Sequence, residues 1–159
     1  TRSGAAGPFL ADVLERIQLS LGADREQQLR ALADSWCVSS DVGHAVHPNY
    51  AEKHDPVVQP RLGSGPILKI NANQRYATDG SGAAAWHGWC DAAGVGSQEF
   101  VSNNAVPCGS TIGPITATRL GIATVDVGIP ILSMHSAREL AGVSDLHDLS
   151  RVAEAFFTA

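Results

Sequence analysis

The chain has 159 residues, 44% hydrophobic and 17% charged, with a formal net charge of -5, which is one ordinary domain with enough apolar content for a core. That acidic balance offers no basic surface to a phosphate backbone, so nucleic acid is not an expected partner. No apolar run approaches the ~20 residues that cross a bilayer, and no charged-then-apolar signal segment opens the chain, so no membrane association is expected.

The three cysteines, Cys37, Cys90 and Cys108, are odd in number and far apart. They form no C-x-x-C pair, which points to reduced, mostly buried thiols in the cytoplasm and away from a disulfide framework or a thiolate zinc site. The opening Thr1-Arg2-Ser3-Gly4 lacks a methionine and a helical pattern begins within a few residues, so the start is expected to be a cut one.

Phe9, Leu10, Val13, Leu14, Ile17 and Leu21 recur at helical spacing behind Pro8, which suits a first-turn position, and Gly22 is placed to end the helix. A second helix is predicted over residues 24–32. Trp36-Cys37-Val38-Ser39-Ser40 reads as a buried strand, which puts Asp41 at its C-terminal edge, where open α/β sheets bind ligands. Residues 44–64 carry Pro48, Pro56, Pro60 and Gly63 and read as a long ordered loop, a kind of segment that is usually functional. Residues 66–71 read as a strand with Lys69 at its centre, and residues 81–93 as an alanine-rich helix with Trp86 and Trp89.

Residues 98–102 form a short predicted strand, followed by a turn-rich stretch and a helix over 111–120 ended by Gly121. The run 122–129 is the clearest buried strand, bounded by Gly121 and Pro130. A loop with Met134 and His135 follows, then a terminal helix over about 145–157 that is expected to bury Leu146, Leu149, Val152, Phe156 and Phe157. Strands alternating with helices imply an α/β layered sandwich around a central, mostly parallel sheet.

Asp41, His44 and His47 lie within one short loop, Asp41-Val42-Gly43-His44-Ala45-Val46-His47-Pro48-Asn49-Tyr50. A loop histidine is more often a hydrogen-bonded anchor than a ligand, and H-x-x-H before proline is not the helical H-E-x-x-H. His135 falls past the 122–129 strand, at the same sheet edge as Asp41 if the two strands run parallel. Carboxylate and imidazole are ordinary zinc ligands, and a catalytic zinc needs several protein ligands plus an open position. The turn ending in Gly109, Ser110 and Thr111 opens a helix and offers backbone N–H groups to a carbonyl or anion. Lys69 in an apolar strand has to be paired or to meet an anionic ligand.

At these residues the chain resembles the aspartyl aminopeptidase family of dinuclear zinc exopeptidases, from end to end. The resemblance is carried by the 41–50 loop with Lys53-His54, by Gly65-Pro66-Ile67-Leu68-Lys69-Ile70-Asn71 with Gln74-Arg75-Tyr76-Ala77, by Cys108-Gly109-Ser110-Thr111-Ile112-Gly113-Pro114, and by Leu132-Ser133-Met134-His135-Ser136-Ala137-Arg138-Glu139. It implies that Asp41 binds one zinc and His135 the other, that Lys69 and Tyr76 line the pocket for the substrate's N-terminal side chain, and that Gly109, Ser110 and Thr111 contact substrate. A cation in that pocket favours Asp or Glu. His44 and His47 are assigned to loop architecture or subunit contacts.

Family enzymes also need a first histidine, a bridging aspartate and a Glu-Glu pair supplying base and ligand, none of which this chain shows. The resemblance therefore implies that residues 1–159 are the C-terminal portion of a catalytic domain, with the rest of that domain and a dimerisation domain upstream. The implied activity is hydrolysis of peptides with a free N-terminus by metal-activated water, in a homo-oligomer, with this segment alone inactive. Two other readings stand beside it: a free-standing noncatalytic assembly or binding module, and a small metal-binding domain built on Asp41, His44 and His47.

Overall fold

The computed structural model describes residues 2 and 4–159. Two helices come first, α1 (Phe9–Ser20) and α2 (Arg25–Ala33). Asp24 starts α2 through a capping box, its carboxylate accepting from the Gln27 N–H while the Gln27 side chain accepts from the Asp24 N–H. Strands β1 (Trp36–Ser40) and β2 (Gly43–His44) follow. The loop after them holds only a 3-10 turn at Ala51–Lys53 before β3 (Ile67–Ile70), α3 (Gly80–Ala93) and β4 (Gln98–Val101). The remainder is α4 (Gly113–Leu120), β5 (Ala123–Gly128), β6 (Pro130–Leu132), β7 (Leu140–Ala141) and α5 (Val143–Thr158).

The main sheet has the order β1-β5-β3-β4, and a small sheet has the order β2-β6-β7. β1 runs parallel to β5 and β3 parallel to β4, but β3 and β5 are antiparallel. The expected α/β sandwich is present, and its sheet is mixed at the central pairing. The parallel alignment of β1 with β5 continues without a break into β2 with β6. The Asp41, Gly43 and Ala45 N–H groups donate to the Val127, Ile129 and Ile131 carbonyls at 3.0, 2.9 and 2.8 Å. Gly128 makes this approach possible, since a Cβ there would overlap the backbone carbonyl of Asp41.

The core lies between the sheet and the α3/α5 pair: Leu68, Val125 and Val127 meet Trp86 and Cys90 of α3 and Val152 of α5. Strand alternation turns Asp126 to the opposite face, toward α4, where a Cβ at Gly113 would run into its carboxylate. Asp145, fully buried at the start of α5, accepts from the Gly63 and Gly65 N–H groups at 2.7 and 2.9 Å and fixes the end of the long loop. No helix among the described residues is long and apolar enough to cross a membrane.

Several expectations of burial are corrected. Trp36–Ser40 is an edge strand with Trp36 exposed and only Ser39 buried. The first predicted helix forms as α1, and Phe9, Leu10, Ile17 and Leu21 are exposed on it and at its end. In α5, Val152 is buried and Leu149 packs against the core, while Leu146 and Phe157 face solvent, the helix packing mainly against α3. The cysteines are all free thiols, with Cys90 buried and Cys37 and Cys108 half-buried.

Gly128→Ala is expected to lower the unfolding free energy by about 3 kcal/mol through overpacking against backbone, measured by urea denaturation. Gly88→Ala, on the exposed side of α3 with open space where its Cβ would go, is expected to raise it by about 0.5–1 kcal/mol.

Candidate active site

The continuous pairing of residues 36–45 with 123–131 delivers Asp41 and the β6–β7 hairpin to the same end of the sheet. His135 lies at the tip of that hairpin, with positive φ of 67°, and its N–H donates to Glu139 Oε1 at 2.6 Å. Ser133, also at positive φ, starts the turn, which closes through a bond from the Ser136 N–H to the Ser133 carbonyl. Non-glycine residues in this region are uncommon and are held there by surrounding contacts.

Asp41, Lys69, Tyr76, Gly109, Ser110, Thr111 and His135 all line one cavity of about 560 Å³. His44 and His47 line it too, so their side chains belong to its wall as well as to the loop. Phe100, Val106 and Met134 supply apolar surface.

Lys69 has the most constrained environment. It is buried, its ammonium donates to the Val42 carbonyl at 3.0 Å, lies 3.8 Å from Asp41 Oδ2, and sits 5.7 Å from the centre of the Tyr76 ring. Burial pulls its pKa below the ordinary lysine range, and the Asp41 and Asp126 carboxylates oppose that pull. A cation without bulk water is stabilised by such partners or by an anionic ligand. Tyr76 is also buried, and desolvation together with the neighbouring Cys108 thiol raises its pKa, keeping the phenol protonated. His44 is held below the usual imidazole range, first by desolvation and then by nearby His135 and Lys69.

Asp126 is a residue that sequence reasoning passed over. Fully buried, it accepts from the Ala77 N–H at 2.6 Å and from the Thr111 hydroxyl at 2.5 Å. Its own N–H donates to the Thr78 hydroxyl at 2.9 Å. The available signal was an aspartate in the most apolar strand, to which the argument that singled out Lys69 applies equally.

In kind, the Asp41 carboxylate and His135 imidazole fit a zinc ion, being oxygen and nitrogen donors at a cavity wall; in number they are a partial set. Among the described residues, no group of three His, Cys, Asp or Glu side chains is arranged to hold a metal ion. His47 does not complete a local site, because its Nδ1 accepts from the Asn49 N–H at 3.2 Å.

Such a fold, with its cavity at the strand ends, is found in zinc metalloproteases. The family model described as Aminopeptidase I zinc metalloprotease (M18) matches residues 1–157, and the chain belongs to that family. The probable M18 family aminopeptidase 2 of Streptomyces coelicolor is 58% identical over 154 residues, covering 97% of this chain and 36% of that protein. Among solved structures, one of the Ape4 and Nbr1 complex superposes with a TM-score of 0.95 at 40% identity, over 99% of this chain and 30% of the other. The S. cerevisiae mApe1 dodecamer gives 0.84 at 32% identity, over 99% and 34%. The chain thus spans about a third of the length of these proteins.

Calorimetric titration of the isolated chain with zinc is expected to show no tight stoichiometric binding, and His47→Ala no effect. Tight binding lost in His47→Ala and retained in His135→Ala would assign the metal to the 41–47 loop instead.

Proposed function

We propose that residues 1–159 are the C-terminal portion of the catalytic domain of a zinc aminopeptidase that removes N-terminal acidic residues from peptides. The observation that carries this reading is that Asp41, His135 and the buried Lys69 line one cavity. Asp41 and His135 would each hold one of two zinc ions. When bound, such a pair supplies Lewis acidity and lowers the pKa of water. The remaining ligands and the general base come from outside this chain, so the segment alone is inactive.

Within the chain, Lys69 directs an ammonium at the substrate's side-chain carboxylate. It has three donors, so it can keep its bond to the Val42 carbonyl while gaining a bond to that carboxylate. The charge is weakly screened in this buried setting, so an acidic side chain gains more than a neutral one of the same size. Tyr76, kept protonated by burial, serves as a neutral hydrogen-bond donor beside it. The 109–111 turn adds polar groups to the cavity lining, and Phe100 and Met134 limit the water around the side chain.

The working protein is a homo-oligomer; the solved mApe1 relative is a dodecamer. Its substrates are peptides with a free N-terminus, and its place is the cytoplasm, in keeping with three unpaired thiols.

The test is substrate choice in the complete peptidase. Lys69→Met is expected to cut kcat/KM for aspartyl substrates by about 100-fold or more while changing that for alanyl substrates by less than about threefold. An equal loss on both would show that Lys69 supports the fold and does not select the side chain.

A further inference from the structure

Two loops that line the cavity lie side by side. One, leading from β3 into α3, carries Tyr76; the other, leading from β4 into α4, carries Gly109, Ser110 and Thr111. Neither belongs to a sheet, so their separation is set by what ties them. Two ties lie near the surface: the Arg75 guanidinium donates to the Cys108 carbonyl at 3.2 Å, and the Ser110 hydroxyl donates to the Arg75 carbonyl at 3.0 Å. Exposed bonds of this kind compete with water and hold position weakly.

The third tie is different in kind. Asp126 projects from the centre of β5 with no solvent exposure, one carboxylate oxygen accepting from the Ala77 N–H and the other from the Thr111 hydroxyl. Ala77 follows Tyr76 directly, and Thr111 is itself a wall residue, so each oxygen holds one side. The bonds are charge-assisted and out of water, which makes them the strongest polar contacts either loop has. Gly113 serves the same arrangement, since a Cβ there would displace both oxygens.

We propose that Asp126 is the positioning residue that keeps the side-chain pocket in shape, by holding the Tyr76 loop and the Thr111 loop together on one buried carboxylate of the central strand. This rests on reading the cavity as the site for the substrate's N-terminal side chain. Asp126 does not touch substrate; it acts through Tyr76 and Thr111.

The experiment is hydrogen exchange by mass spectrometry on the complete peptidase that carries this chain, paired with titration by L-aspartate as the probe. Asp126→Ala is expected to speed exchange in both 73–78 and 105–112 by about tenfold, leave α5 protected, and weaken L-aspartate binding by a similar factor. Asp126→Asn should restore protection to within about threefold of the parent. Its amide oxygen can accept from Ala77 and its NH₂ can donate to the Thr111 hydroxyl oxygen. Should Asp126→Ala fail to fold, Thr111→Val removes one arm alone and is expected to loosen 105–112 while 73–78 stays protected.

A uniform rise in exchange along the chain, loosening of a single wall in Asp126→Ala, or an Asn variant as loose as the Ala variant would overturn the proposal. If the parent enzyme shows no affinity for L-aspartate while both loops loosen as described, the pocket assignment fails and the role of Asp126 in holding the loops stands.

Discussion

The structure depends on one backbone alignment, the parallel run of residues 36–45 beside 123–131. The two segments are far apart in sequence, and everything placed at the cavity follows from their register. Side chains alternate along a strand, so a slip by one residue would turn Asp41 away from the cavity and Asp126 into the apolar face. Gly128 allows the close approach without which Asp41 could not follow β5 past its end. The same alignment brings the β6–β7 hairpin, and with it His135, to the edge where β1 finishes.

Two buried charges stand on this frame and explain each other's presence. Lys69 on β3 and Asp126 on β5 are both removed from water in a protein whose core would be simpler without them. A buried charge is weak evidence for stability, since apolar replacements are often as stable. On the proposed reading both have work at the cavity: the lysine would face an incoming carboxylate, and the aspartate would hold the loops beside it. The weak link between Lys69 and Asp41, at 3.8 Å, leaves both groups available to other partners.

The legible part of the fold was the part bounded by strong local chemistry. Pro66 and Pro130, Gly121 in a left-handed cap, and the dense β-branched run at 123–127 marked their elements to within two residues. The direction of β3 was not legible, because the irregular 54–66 connection sets no handedness and helical crossovers alone imply parallel neighbours. β6 and β7 are too short to show a period. Burial failed as a forecast for Trp36, Leu146 and Phe157 because an apolar pattern records that a face can be covered, and not which neighbour covers it.

The candidate site divided along the same line. Asp41, Lys69 and His135 stood out as polar groups at strand ends or in an apolar strand, and the family resemblance joined them. Their meeting is a matter of long-range register that no local pattern encodes. Asp126 escaped notice because its hydrogen-bond partners, Ala77 and Thr111, come from separate loops.

The most direct test of the central claim is anomalous scattering at the zinc edge from crystals of the complete peptidase that carries this chain. The account predicts two zinc peaks in the cavity that also holds Lys69, one beside the Asp41 carboxylate and the other beside the His135 imidazole. A single peak held by His44 and His47, or metal bound with neither Asp41 nor His135 in its shell, would contradict it.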